Sequence, residues 1–195
     1  MMLTQLSTVK ARLGLLATDT TYDAQLTLVI RSVSVWFEHE ANRELSRQVG
    51  TVYEFAADET ELTLPCYPVE SVTRLEYKSD EINGWVARPT VRYQVRRGCI
   101  LWLAEKLGSY LEQGRVVYTG GYVLPGETAL PGQAVLPQDL EQAAVEQVTY
   151  WFQNRERIGL ARCWENAGTY RQFYGDLSLL PSVRKLLTKY RRWRL

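Results

Sequence analysis

Only one histidine occurs among the 195 residues, and its neighbours decide what chemistry it could do. His39 lies between Glu38 and Glu40, and His39-Glu40-Ala41-Asn42-Arg43 begins like the zinc-binding H-E-x-x-H helix. Arg43 stands where the second histidine belongs, and a guanidinium does not ligate zinc, so that site fails. Acid–base catalysis needs an oriented partner, and none is evident, so His39 reads as a surface residue. Cys66, Cys99 and Cys163 contain no C-x-x-C pair, and without a second histidine they build no metal cluster. An odd number of unpaired thiols fits a reducing cytosol. Gly120-Gly121 belongs to no phosphate cradle, because the spacing G-x-x-x-x-G-K is absent. No catalytic, cofactor-binding or metal-ligating residue is predicted, and the chain does not read as an enzyme.

One nucleic-acid-like signal remains, at the C-terminus. Arg184, Lys185, Lys189, Arg191, Arg192 and Arg194 all follow Asp176, the last acidic residue. They interleave with Tyr190 and Trp193, the pattern of a basic aromatic tail that stacks on bases or grips phosphate. The competing reading is a terminal helix whose aromatics pack on a protein partner while its cations pair with that partner's acids. Counterion-release binding usually wants more cations than these, which favours the protein. Lysine plus arginine number 23 against 22 aspartate plus glutamate. Taking the six tail cations from a formal charge of +1 leaves −5 for residues 1–176. A mildly acidic body with a basic tail is not a dedicated nucleic-acid grip or a membrane-surface protein.

The elements that carry these residues follow from spacing. Leu136 to Gly159 predicts the organising helix, 137–158. Leu140, Ala143, Ala144, Gln147, Val148, Trp151 and Phe152 form one broad apolar stripe, Pro137 suits the first turn, and Gly159 is a plausible stop. A short helix over 6–14 has Ser7 as candidate N-cap and Gly14 as its end. A longer one over 20–43 opens on Thr20 and Asp23, which resemble a capping box. Its face is Tyr22, Leu26, Val29, Ile30, Val33, Trp36 and Phe37, with Leu28 and Val35 off that face. A helix apolar on more than one side is either deeply buried or shared with another subunit. The subunit-contact or core candidates are therefore Leu28, Val35, Trp36, Phe37, Trp151 and Phe152.

Residues 51–119 change to a period of two. Val52–Phe55, Glu61–Leu64, Val72–Tyr77, Val91–Val95, Cys99–Leu103 and Arg115–Thr119 read as strands, with turns at Asn83-Gly84 and Arg97-Gly98. They predict an antiparallel sheet inserted between helices. Gly120 to Gln133 is a loop. Ala161 to Tyr174 reads either as a broken helix or as an extended arm, and Pro181 starts a last short helix. The fold class is thus α+β: a helical bundle with an inserted antiparallel sheet and a C-terminal arm. One domain spans 1–159, and the arm is 160–195. Composition, 46% hydrophobic and 23% charged, is that of an ordinary globular protein. No run approaches transmembrane length, and the N-terminus lacks signal-peptide order.

Five blocks in order resemble the head–tail connector, or head completion, proteins of long-tailed bacteriophages. They are LSTVKARLGL, DTTYDAQLTLVIRSVSVWFEHEANREL, LPCYPVESVTRLEY, VVYTGGYVLPGETALP and LPQDLEQAAVEQVTYWFQNRERIG, covering most of residues 6–159. The resemblance implies a non-enzymatic virion protein without cofactors, assembled in the host cytoplasm and placed in the neck. It implies a ring of identical copies, usually dodecameric, beneath the portal protein. That ring would extend the DNA channel, pass genomic duplex without sequence-specific binding, and offer a platform to a stopper or tail-completion protein. No membrane is involved. The family's C-terminal segment typically reaches the portal. This implies a portal-docking role for Arg184, Lys185, Leu186, Leu187, Tyr190, Arg191, Arg192, Trp193 and Arg194. The β-rich insertion would line the channel or meet the next ring. The alternative to this structural role is a DNA-binding module acting through the basic tail.

Overall fold

The computed structural model describes residues 1–157, 162–165, 169–172 and 178–192. Trp193, Arg194, Gly159 and the boundary drawn at 159/160 lie outside the described residues. The chain divides into two compact units, one made of residues 1–41 and 136–191, the other of residues 42–135 and 192–195.

The first unit is helical: α1 (Leu6–Leu13), α2 (Asp23–Ala41), α3 (Gln138–Gln153) and α4 (Pro181–Leu187). Gly14 ends α1 at φ 71°, and the amides of Gly14 and Leu15 return to the carbonyls of Ala11 and Lys10. A glycine accepts this left-handed turn without a Cβ penalty. Gln5, not Ser7, is the residue before the first turn, and the Ser7 hydroxyl bonds the Gln5 side chain instead. Lys10 is buried yet satisfied. Its ammonium donates to the Ala17 carbonyl at 3.0 Å, the Asp19 carbonyl at 2.5 Å and the Asp23 carboxylate at 2.8 Å. One cation thereby fixes the α1–α2 turn and places negative charge at the start of α2.

On α2, Leu26, Ile30, Val33, Phe37 and Ala41 are buried at spacings of three and four. Buried Ser34 accepts from the Leu3 amide at 3.0 Å and donates to Ile30 O at 2.7 Å, pinning the N-terminal segment. On α3, Leu140, Ala143, Ala144, Val145, Val148, Trp151 and Phe152 are buried. Helix α3 stops at Gln153, short of the expected 158. The Asn154 side-chain amide donates to Tyr150 O at 2.8 Å and Arg155 donates to Phe152 O at 2.8 Å. Side chains thus take the last carbonyls that a further turn would have claimed, and Arg155–Arg157 form a 3-10 turn. Helix α2 likewise begins at Asp23 and ends at Ala41, inside the expected 20–43.

In the part described, residues 161–174 are not a broken helix. They hold a hairpin, β8 (Arg162–Glu165) against β9 (Thr169–Gln172).

The second unit is all β. The expected single sheet is two. A four-stranded antiparallel sheet has the order β1 (Gln48–Ala56), β7 (Gln113–Gly120), β3 (Val69–Lys78), β4 (Val86–Ala87). A three-stranded one has the order β2 (Glu61–Thr63), β6 (Ile100–Leu103), β5 (Tyr93–Arg96). Phe55 and Val116 from the first sheet, with Leu62, Leu101 and Leu103 from the second, share one core, closed by Tyr118. Each sheet covers the other's apolar face, which a single sheet could not do. The Tyr118 hydroxyl accepts the Cys66 amide at 3.0 Å, and burial pushes its phenol well above the ordinary value. Gly120-Gly121 has a packing role here: a Cβ on Gly121, at φ 97°, would lie 2.4 Å from the Ser46 carbonyl oxygen.

Candidate assembly surfaces

In the helical unit the six ring-interface or core candidates separate into two groups. Phe37, Trp151 and Phe152 are buried. Leu28, Val35 and Trp36 are exposed by 63%, 62% and 42%. Leu28 and Val35 are seven residues apart, two helical turns, so they share a face of α2, with exposed Arg31 and Ser32 between them and Trp36 beside Val35. Trp36 meets buried Trp151 edge-on with ring centroids 6.3 Å apart, which holds the outer indole in place. Tyr22 meets Phe152 in the same manner at 5.4 Å, under the Arg155 guanidinium. Of the two readings open for Leu28 and Val35, deep burial within the chain does not hold. His39 is exposed, and among the described residues no cluster of histidine, cysteine and carboxylate could hold a metal ion.

The C-terminal segment is folded back on its own chain. Helix α4 packs on α3 and α2, with Val183 and Leu187 buried and Leu186 half-buried. Gln147, fully buried in the apolar stripe of α3, receives the Leu180 amide at 2.8 Å and donates to Ser178 O at 3.4 Å. The Tyr190 hydroxyl donates to Asp139 at 2.7 Å, and Arg184 approaches Glu40 at 3.9 Å. Lys185 and Arg191 are exposed. Arg192 belongs to the β unit: it is buried, donates from Nε at 3.1 Å and Nη2 at 2.5 Å to Thr63 O, and lies 5.5 Å over the Tyr53 ring. The seven described members of the portal-docking set are therefore brought together only in part. Leu187 and Arg192 are buried in the chain itself, whereas Lys185 is exposed.

Spacing arguments missed a basic stretch in the β unit. From Asn83 to Ala104 there are four arginines, 88, 92, 96 and 97, and no acid. All four are exposed. Arg88 lies over Tyr77 at 4.1 Å and Arg96 over Trp102 at 4.5 Å. A windowed charge count would have found it; the −5 total for the body averaged it away.

Three comparisons with known proteins bear on these surfaces. The family pattern described as head completion protein (HCP) matches residues 2–193. The fold is similar to a chain in the neck of an empty gene transfer agent (GTA) particle, computed with C6 symmetry. Identity there is 18%, TM-score 0.58, and coverage 97% of this chain and 89% of that one. It is similar also to a chain in the virion of a native gene transfer agent particle, with 19% identity, TM-score 0.53 and the same coverage. No curated protein matches.

Proposed function

This chain belongs to the head completion protein family, a structural and non-enzymatic one, and from that premise we propose how it completes a head. Identical copies close a ring in the neck of a phage-like particle, around the path of the DNA. The portal protein lies on one side of the ring, and a stopper or tail-completion protein on the other. Duplex passes without sequence-specific contact.

The observation that carries the reading is the exposed set Leu28, Val35 and Trp36 on α2. Large apolar side chains at such exposure are normal singly, but a set of them on one helix marks a surface that a partner covers. A ring supplies that partner in every copy. The particle neck that this fold resembles was computed with C6 symmetry, and a dodecameric ring contains a six-fold axis. The exposed cation Lys185, on an arm whose α4 is too short to persist alone, suits docking on an acidic portal surface.

Electron micrographs of the purified protein, alone and mixed with its portal, test this. Closed rings in either sample are expected, and they should be lost in Leu28→Asp/Val35→Asp. Monomers in both samples would overturn the reading. So would duplex binding that is tight, steep in salt and abolished by deleting residues 177–195, which belongs to a DNA-binding module.

A further inference from the structure

The three-stranded sheet carries arginines along one edge and a glutamate on the other. Strand β5 is its outer strand, so one row of its backbone groups has no neighbouring strand. Arg92, Arg96 and Arg97 on and beside β5 are exposed, and among the described residues none has a carboxylate within ion-pair distance. The opposite edge is β2. Beside it lies a groove of about 390 Å³ between β1 and β2, rimmed by the exposed carboxylates of Glu54, Glu59 and Glu61. None of these three has an ion-pair partner among the described residues either. Arg192 at the groove contributes one positive charge, already committed to the Thr63 carbonyl, and the groove stays net negative.

Register fixes how far apart the two sets lie. Glu61 on β2 pairs across to Trp102 on β6, and Trp102 pairs on to Gln94 on β5, which Arg92 and Arg96 flank two residues either way. Glu61, Trp102, Gln94, Arg92 and Arg96 therefore share one face of the sheet, with the carboxylate two strand spacings, about 10 Å, from the arginine edge and Trp102 between them. Within one copy neither set forms an ion pair among the described residues. A second copy, shifted sideways, satisfies each with the other.

We propose that the β5 edge of one copy docks into the Glu54–Glu59–Glu61 groove of the next. The match of three unpaired cations to three unpaired carboxylates names a second copy of this chain as the occupant. Such a head-to-tail contact is heterologous, and repeated by rotation it closes into a ring. The inference rests on the ring reading above and adds the contact in the β unit. It also accounts for the exposure of Tyr93 and Val95, which lie on that strand and would be covered by the neighbour.

Charge reversal tests it in the full chain. Arg92→Glu/Arg96→Glu alone, and Glu59→Arg/Glu61→Arg alone, should each lower the yield of closed oligomer at least about tenfold, since like charges would then face one another. Yield is read by native mass spectrometry of the free protein and by electron microscopy of portal-loaded samples. Mixing the two variants should restore assembly to within about threefold, because each then presents the edge the other needs. Both reversals on one chain should restore it as well, and unchanged melting would show that the single reversals still fold. The proposal is overturned if the separate reversals assemble like the wild type, or if mixing rescues nothing. It is overturned equally if the arginine reversal abolishes duplex DNA binding while rings persist. A wild-type chain that closes no ring, alone or on portal, overturns the ring reading and this contact together.

Discussion

Replacing Gln147 by leucine isolates what holds the C-terminal helix down. The side chain is fully buried, and its amide makes one short bond, from Leu180 N at 2.8 Å, and one long one, to Ser178 O at 3.4 Å. Leucine keeps the volume and removes both. The long bond contributes little, so the loss is dominated by the Leu180 amide left without an acceptor at the start of α4. That costs about 1–2 kcal/mol. Seven residues of helix do not persist alone, so α4 depends on the packing of Val183 and Leu187 and on this clamp. A loss of that size raises the undocked population about 5- to 30-fold. Hydrogen exchange followed by mass spectrometry reads it directly: amides of 180–187 should exchange faster by about that factor, while those of α2 keep their protection. Equal exchange in variant and wild type would refute the clamp. If portal binding uses the undocked arm, the variant also binds portal more tightly, by up to the same factor.

Other perturbations separate structural from assembly roles. Trp151→Ala should cost about 3–5 kcal/mol, as for a buried aromatic, while Trp36→Ala should cost only about 1 kcal/mol in the free chain and yet impair assembly; paired melting and assembly assays check both. Lys10→Ala leaves two carbonyls and the Asp23 carboxylate unmet, and a loss of about 1–3 kcal/mol in chemical denaturation is expected. Gly121→Ala should cost roughly 2 kcal/mol or more by the same measurement, because the added Cβ meets the Ser46 carbonyl and the backbone stays at positive φ. Arg47 holds the Glu70 carboxyl below its usual range, so the pair's contribution is present above the ordinary carboxylate pKa and fades as pH falls through the lowered value. An NMR titration should show Glu70 returning to the usual range in Arg47→Ala.

Helices were legible where burial on one side sets the spacing. Leu26, Ile30, Val33 and Phe37, and Leu140 through Phe152, are the stripes that period 3.6 predicts, and Gly14 ends α1 where a left-handed residue is needed. Ends set by side-chain competition were less so. Asn154 and Arg155 take the carbonyls of α3, and nothing in apolar spacing announces that. Alternation located the strands but not their partners. Both sheets of the β unit alternate alike, and their division depends on contacts such as Glu61 to Trp102 and Val69 to Gly120, distant in sequence. The hairpin of β8 and β9 escaped because residues 161–174 carry no regular alternation.

The assembly surfaces follow a different logic. A catalytic centre gathers uncommon residue types at fixed spacing: Arg43, where a second histidine would be needed, breaks the H-E-x-x-H motif. A contact between identical copies uses ordinary residues, and its signal lies in what one copy leaves unanswered. Leu28 and Val35 off the buried face of α2 are such a remainder, and they were visible because a helix has only one inner side. Arg92, Arg96 and Arg97 are another, but they are cancelled in any sum that also counts Glu54, Glu59 and Glu61. Arg92, Arg96 and Arg97 lie on and beside β5, while Glu61 lies on β2 with β6 between them, and among the described residues none of these forms an ion pair. If each edge answers the other between copies, the place to look for the partner is the same sequence again.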